Sequence, residues 1–358
     1  MSRFLQMHAL TVYPPSNPNR DDLGRPKTAV IGGVTRMRIS SQALKRAIRT
    51  SGAFQTTLSG KLGARTQRLG EELLQHLLAK GSEEDKATAI TREVVAAFGK
   101  LKPANDSHPV RIEQLAFVSP EEREKAFELA EKAAAGDALP KEKDLAKTLL
   151  ATADTAVDIA MFGRMLAADP AYNREAAVQV AHAFTTNRVD VEDDYYTAVD
   201  DLKQPEEDAG AGFVGEAGFG AGVFYTYVCV NRELLVRNLA GDTDLAAAGL
   251  RALTRAVAEA SPSGKKNSFG NHVRAAFMLL EKGDGQPINL ASAFLKPVGS
   301  GDQMAVSIEA LTNKRAEFAR VYGDTSDEEI CLDMRRQDSA TLAEVADFAA
   351  TGLSSPAA

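Results

Sequence analysis

Cysteine is scarce in this sequence. The 358 residues hold two, Cys229 and Cys331, with neither metal-binding nor redox spacing, which excludes a disulfide scaffold and a thiolate zinc site. Histidine is equally thin. The five, at 8, 76, 108, 182 and 272, are dispersed, no pair has ligand spacing, and no metal site is expected; His76 and His182 are expected in helices as surface or core residues. No stretch reaches the roughly 20 apolar residues of a membrane helix. The first fifteen residues carry one basic residue and no small-residue cleavage site, so no secretory signal is expected and the location reads as cytoplasmic. P-loop, nucleophile-elbow and zincin motifs are missing too, and no cofactor is expected. What remains is ordinary globular material, 44% apolar and 25% charged, long enough for about two domains and a sizeable core.

Charge is unevenly spread. The net charge of -7 argues on its face against nucleic acid. Yet residues 19–50 hold eight Lys/Arg against two acids, while residues 190–216 hold ten acids against one lysine. One short basic island in an acidic chain points to a local anionic partner.

Residues 3–12 read as a strand and residues 14–35, rich in Pro, Asn, Asp and Gly, as a loop. Thr35-Arg36-Met37-Arg38-Ile39 reads as a strand with Arg36 and Arg38 on one face. Ser40 or Ser41 then caps a helix reaching about Thr50, with Leu44 and Ile48 on one side and Lys45, Arg46 and Arg49 elsewhere. From about 60 to 186 the signals are helical: a leucine stripe at 69–78, a capping box at Ser119-Pro120-Glu121-Glu122 stopped by Gly136, and helices near 141–167 and 171–185. Strand signals return at 222–231 and near 304–308. A helix-only block between strand-bearing ends reads as an insertion into a sheet domain, and the end of the chain as a disordered tail.

Gly210-Ala211-Gly212-Phe213-Val214-Gly215 matches the dinucleotide fingerprint, which must follow a strand and open a helix. Here it follows Gln204-Pro205-Glu206-Glu207-Asp208 and precedes further glycines, so a glycine-rich loop is the better reading. Asp21-Asp22 could hold a divalent ion beside phosphate; a turn or helix-cap pair that also pairs with Arg20 is the plainer reading.

The basic segment carries most information. Arg20, Arg36, Arg38, Lys45, Arg46 and Arg49 offer donors at several spacings. Ser40, Ser41 and Gln42 add neutral donors at a helix N-terminus, where backbone N–H groups favour phosphate. That mixture suits a sugar-phosphate backbone better than base edges. Lys265-Lys266, in a Ser/Gly/Pro loop, could close over the same strand.

Several segments together resemble the CasC family, the backbone subunit of the type I-E CRISPR complex Cascade. They are Asn19-Arg20-Asp21-Asp22, Gly32-Gly33, and the run from Arg36-Met37-Arg38 through Gln42-Ala43-Leu44-Lys45-Arg46-Ala47. Further along come Val157-Asp158-Ile159-Ala160 with Gly163-Arg164-Met165, Ala181-His182-Ala183-Phe184-Thr185-Thr186, Thr197-Ala198-Val199-Asp200-Asp201-Leu202 and Gly222-Val223-Phe224-Tyr225. The C-terminal third diverges.

The resemblance implies an α+β fold: an RRM-like (ferredoxin-like) palm at 1–58, 182–189 and 223–345, helical fingers at 59–181, a hairpin thumb at 190–222 and a flexible tail at 346–358. It implies a non-enzymatic subunit of antiviral defence that stacks head to tail along a guide RNA. Partners would be that RNA, further copies of itself, the large and small subunits, CasD and CasE, and target DNA through the guide. Arg20, Ser40, Gln42, Lys45, Arg46 and Arg49 would bind the guide's backbone, and Met165, beside Arg164, would pack against a base at a kink made by a neighbour's thumb. The glycines of 210–222 would form a thin thumb tip, and the acidic stretch 190–208 would contact a neighbouring subunit. Exposed sheet aromatics for base stacking are not evident in the sequence. The alternative is a metal-dependent ribonuclease of a related effector complex using Asp21 or Asp22.

Overall fold

The computed structural model describes residues 2–166, 169–198 and 213–354. The chain opens with β1 (Phe4–Ser16), β2 (Thr28–Ile31) and β3 (Val34–Ile39), then α1 (Ser41–Arg49) and α2 (Gly52–Thr57). The insertion follows: β4 (Ala64–Thr66), α3 (Leu69–Ala79), α4 (Glu84–Val95), β5 (Ala116–Val118), α5 (Pro120–Ala135), α6 (Glu142–Leu149) and α7 (Val157–Phe162). Next come β6 (Val178–Val180), β7 (Ala183–Thr185), β8 (Glu192–Ala198) and β9 (Phe213–Asn231). The chain closes with α8 (Arg232–Asn238), α9 (Thr243–Glu259), α10 (Lys266–Phe269), β10 (Ala275–Gly283), α11 (Gln303–Tyr322), β11 (Glu328–Asp333) and α12 (Leu342–Ala350).

The palm is one antiparallel sheet in the order β11-β10-β1-β9-β7-β3-β2, with β6 also on β9. β1 lies in its interior, with Met7 opposite Val228 on β9 and Leu280 on β10. It is buried on both faces, so Gln6 and His8, which alternate with Leu5, Met7 and Ala9, are buried too. Leu5, Met7 and Ala9 face a core roofed by α1, α8, α9 and α12. Leu10, Tyr225 and Phe277 face a second core, containing Phe294 and the α11 residues Ile308 and Leu311. Beneath α11, Glu281 lies 3.0 Å from Arg315 and 3.4 Å from His8 Nε2, and His8 Nδ1 is 3.0 Å from the Tyr225 hydroxyl. Burial alone would push the Glu281 carboxyl up; His8 and Arg315 outweigh it and hold it at about 2.

The fingers have their own core, from Leu69, Leu73 and Leu77 on α3 to Ala126 and Ala130 on α5 and Leu149 on α6. The capping box is present, with Ser119 and Glu122 exchanging bonds, and Gly136 ends α5 in a left-handed conformation. The thumb arms are β8 and the first half of β9, paired from Glu192 opposite Phe219 to Ala198 opposite Phe213. The α+β architecture is thus an antiparallel palm, a helical insertion and a hairpin.

Several local expectations fail. Residues 171–185 are not a helix: β6 and β7 occupy them, because pairing with β9 outweighs the helix propensity of the alanines. His182 therefore sits in the two-residue break between β6 and β7, both of which run along β9. Residues 304–308 lie in α11, where the Asp302 side chain accepts from the Ala305 N–H and caps the helix. The stretch 14–35 contains β2, and the helical insertion carries the short pair β4–β5. The tail is shorter than expected: Ala346, Ala349 and Ala350 of α12 are buried in the palm core.

Candidate nucleic-acid interface

Ser40 caps α1: its Oγ accepts from the Ala43 N–H at 3.2 Å, while its own N–H donates to Asn19 Oδ1 at 2.8 Å. The first turn of α1 carries no acid, and Arg46 and Arg49 occupy the last turn. The basic last turn suits the helix dipole, and the acid-free first turn leaves the N-terminus uncompensated and attractive to an anion. Leu44 and Ile48 are buried, so the helix is fixed by its apolar side. Lys45 lies 5.9 Å over the Phe162 ring, and burial lowers its pKa. Gln42 and Arg46 are exposed.

Beside α1 runs an open groove of about 510 Å³. Its lining includes Arg20, Asp21 and Asp22 from the loop, Arg46 from α1 and Thr50 at its C-terminal cap, and residues 261–264. Arg20 and Arg46 make no ion pair among the described residues. Asp21 accepts from the N–H groups of Leu23 and Arg25 at 3.0 and 2.9 Å. Its carboxylate thus closes a turn, as the plainer reading has it, but it does not pair with Arg20. The 261–264 wall is pinned where Gly264 meets the Pro18 carbonyl; a Cβ there would lie 2.5 Å from that oxygen. Lys265 and Lys266 follow directly, Lys265 at φ 49 in the left-handed region.

The same loops hold the thumb, through residues that sequence reading missed. The Asn17 amide donates to the carbonyls of Gly24 and Gly218, both at 2.9 Å. Arg25 pairs with Asp193 on β8 at 2.9 Å, and Phe269 on α10 meets Phe219 on β9 with ring centroids 6.0 Å apart. The signals were Asn17 in a Pro-rich turn and glycine at alternate strand positions. Gly218 lies against Pro26, Gly220 against Met37 and Gly222 against Asn187. These glycines are thus close-packed strand positions, and the thin-tip reading fails for them. Gly215 also lies inside β9, away from any strand-to-helix turn. Part of the acidic stretch is satisfied at home: Asp190 pairs with Arg188 and Asp193 with Arg25. Residues 199–212, which hold Gly210 and Gly212 of the expected tip and the acids from Asp200 to Asp208, lie outside the described residues.

Three arginines expected at the RNA are committed inward. Arg36 is fully buried, and its guanidinium donates to the carbonyls of Thr185, Thr186 and Phe294. Arg164 is buried on Glu122, at 2.5 Å, and on the carbonyls of Ala151 and Tyr172. Arg49 pairs at 2.9 Å with buried Asp158 and lies over the Phe117 ring. In this conformation neither Arg36 nor Arg164 offers a donor to an outside phosphate, which corrects that reading for both. Arg49 is largely shielded. Arg38 is different: half-buried, it meets His182 Nδ1 at 3.1 Å beside the N-terminus of α1.

Met165 stands 83% exposed at a second groove of about 300 Å³, shared with Phe98, Leu115 and Leu166. Its backbone is held from behind. Arg164 and Arg174 bridge each other through their backbones and both donate to the Ala151 carbonyl at 3.0 Å, and Arg174 is buried on Asp154 at 2.6 Å. Two buried ion pairs thus fix the segment that presents Met165.

The CT1975-like protein family model matches residues 5–353, and the chain belongs to that family. A chain of a CRISPR RNA-guided surveillance complex, pre-nicking, matches with a TM-score of 0.84 and 30% identity, covering 97% of this chain and 99% of that one. A chain of a second CRISPR RNA-guided surveillance complex matches with a TM-score of 0.57 and 27% identity, over 92% of this chain and 87% of that one. No curated protein matches the chain.

Proposed function

We propose that this chain is a guide-RNA-binding subunit of a CRISPR surveillance complex and, more finely, a type I-E CasC-like backbone subunit of Cascade. One observation carries the reading. In a chain similar over nearly its whole length to a surveillance-complex subunit, Arg20 and Arg46 line one groove without carboxylate partners among the described residues, beside a helix N-terminus free of acids. Such a site takes phosphates and ignores base identity. Sequence would then be read by pairing between the guide and target DNA.

In this reading Arg20, Arg46, Gln42, Lys45 and the N-terminus of α1 bind the guide's backbone. Lys265 and Lys266 extend from the opposite wall, and Met165 packs against a base. Copies stack head to tail through the thumb, with CasD, CasE and the large and small subunits as further partners. The subunit is non-enzymatic and cytoplasmic; no described helix is long and apolar enough to cross a membrane. The turn role of Asp21 supports this over a ribonuclease built on Asp21 and Asp22. Incubating the assembled complex with complementary RNA, in Mg²⁺ and then in EDTA, separates the two: intact RNA in both supports the binding role, and Mg²⁺-dependent cleavage contradicts it. Purifying the chain from cells and sequencing its nucleic acid tests the binding itself. CRISPR guide RNA is expected, and its absence would contradict the reading.

A further inference from the structure

His182 lies in the two-residue break between β6 and β7, exposed, at the N-terminus of α1. Its Nδ1 is 3.1 Å from an Arg38 guanidinium nitrogen and 3.2 Å from the Ser41 backbone nitrogen. Both neighbours are donors only, so Nδ1 is an acceptor and the ring is neutral with its proton on Nε2. Two donors on different elements converge on one lone pair. A phosphate oxygen would take the same place, and as an anion it is the better acceptor for a guanidinium.

We propose that His182 is a placeholder for a backbone phosphate of single-stranded RNA: the phosphate displaces Nδ1 from Arg38 and Ser41, and the freed imidazole takes a proton from solvent and stays beside it as a cation. This rests on the guide-RNA reading. Hydrogen bonds from Arg38 and the Ser41 N–H pass from Nδ1 to a phosphate oxygen, and Nδ1 gains one proton. The charged groups acting on the ring are Arg38 on β3 and Lys27 in the loop before β2; no carboxylate pairs with it among the described residues. Burial first, then Arg38 and Lys27, lower its pKa in the free chain. A phosphate reverses that balance, so binding takes up a proton and tightens as pH falls.

The test compares the affinity of the full chain for a single-stranded RNA at pH 7.5 and 5.5, at constant ionic strength, in wild type, His182→Gln and His272→Gln. Gln keeps an acceptor but does not titrate, and His272 is an exposed histidine elsewhere. Wild type and His272→Gln should gain about three- to tenfold on acidification, as one proton taken up allows, and His182→Gln should lose that gain. An equal gain in His182→Gln overturns the proposal while leaving RNA binding intact. Absence of RNA binding in all three at both pH values overturns the guide-RNA reading itself. An NMR titration of the wild-type His182 ring needs no variant: its pKa should rise when RNA is added, and an unchanged value also overturns the proposal.

Discussion

The groove beside α1 and the base of the fingers both hold arginines, but in opposite electrostatic states. Arg20 and Arg46 stand at the groove with no carboxylate partner among the described residues. At the base of the fingers, Arg164 and Arg174 are buried on Glu122 and Asp154 and share one carbonyl. Removing water from a charge is costly unless a partner and hydrogen bonds replace it. The fingers meet that cost and gain a fixed segment behind Met165. The groove leaves its charges solvated, where they add little to folding and remain free to meet a polyanion. Arginine count alone therefore does not locate a binding face; pairing does.

That contrast breaks most visibly at Arg164. Arg164→Ala leaves the buried Glu122 carboxylate without its cation, and chemical denaturation should show a loss of about 3–5 kcal/mol. A loss under 1 kcal/mol would mean that the pair is not structural.

The palm offers a further pair with a buried carboxylate for comparison, Glu281 with Arg315. Glu281, held at about 2 in the fold against an ordinary 4.5, contributes stability that is fully present above pH 4.5 and is lost as pH falls toward 2. The lost amount should be on the order of 3 kcal/mol. In Glu281→Gln that part of the acid dependence should vanish, which denaturation at stepped pH would show.

Arg49 sharpens the boundary, because it belongs to α1 by sequence and to the paired set by geometry. Arg49→Glu would set a carboxylate against Asp158 and should cost about 2 kcal/mol. Arg46→Glu, one turn position away on the exposed side, should stay within roughly 0.5 kcal/mol of wild type. Equal thermal stabilities for the two variants would erase the distinction. The smallest effect concerns salt. Arg20→Ala should leave folding unchanged and make the slope of log affinity against log salt shallower by about 0.7 for a single strand. An unaltered slope would place Arg20 off the RNA.

The architecture was legible because its signals are local or periodic: the uncharged β1, the Ser40 cap, the capping box at 119–122 and the Gly136 stop. Gln42 and Arg46 could be placed at a surface because Leu44 and Ile48 fix which side of α1 is buried. The inward arginines were not legible. Arg36 alternates correctly along β3, but the face it shares is covered by a segment more than 250 residues away, at Phe294. The partners of Arg164 and Arg49 are likewise remote in sequence, at Glu122 and Asp158. β6 and β7 were missed because three-residue strands carry almost no period of their own; their partner β9 supplies it.

The most direct test of the central claim is RNA affinity in the double variant Arg20→Glu/Arg46→Glu, measured on several single-stranded RNAs of unrelated sequence beside a thermal melt. The account predicts an unchanged melting temperature and a loss of affinity that is large and similar for every sequence. Unchanged affinity, or a loss confined to particular sequences, would contradict it.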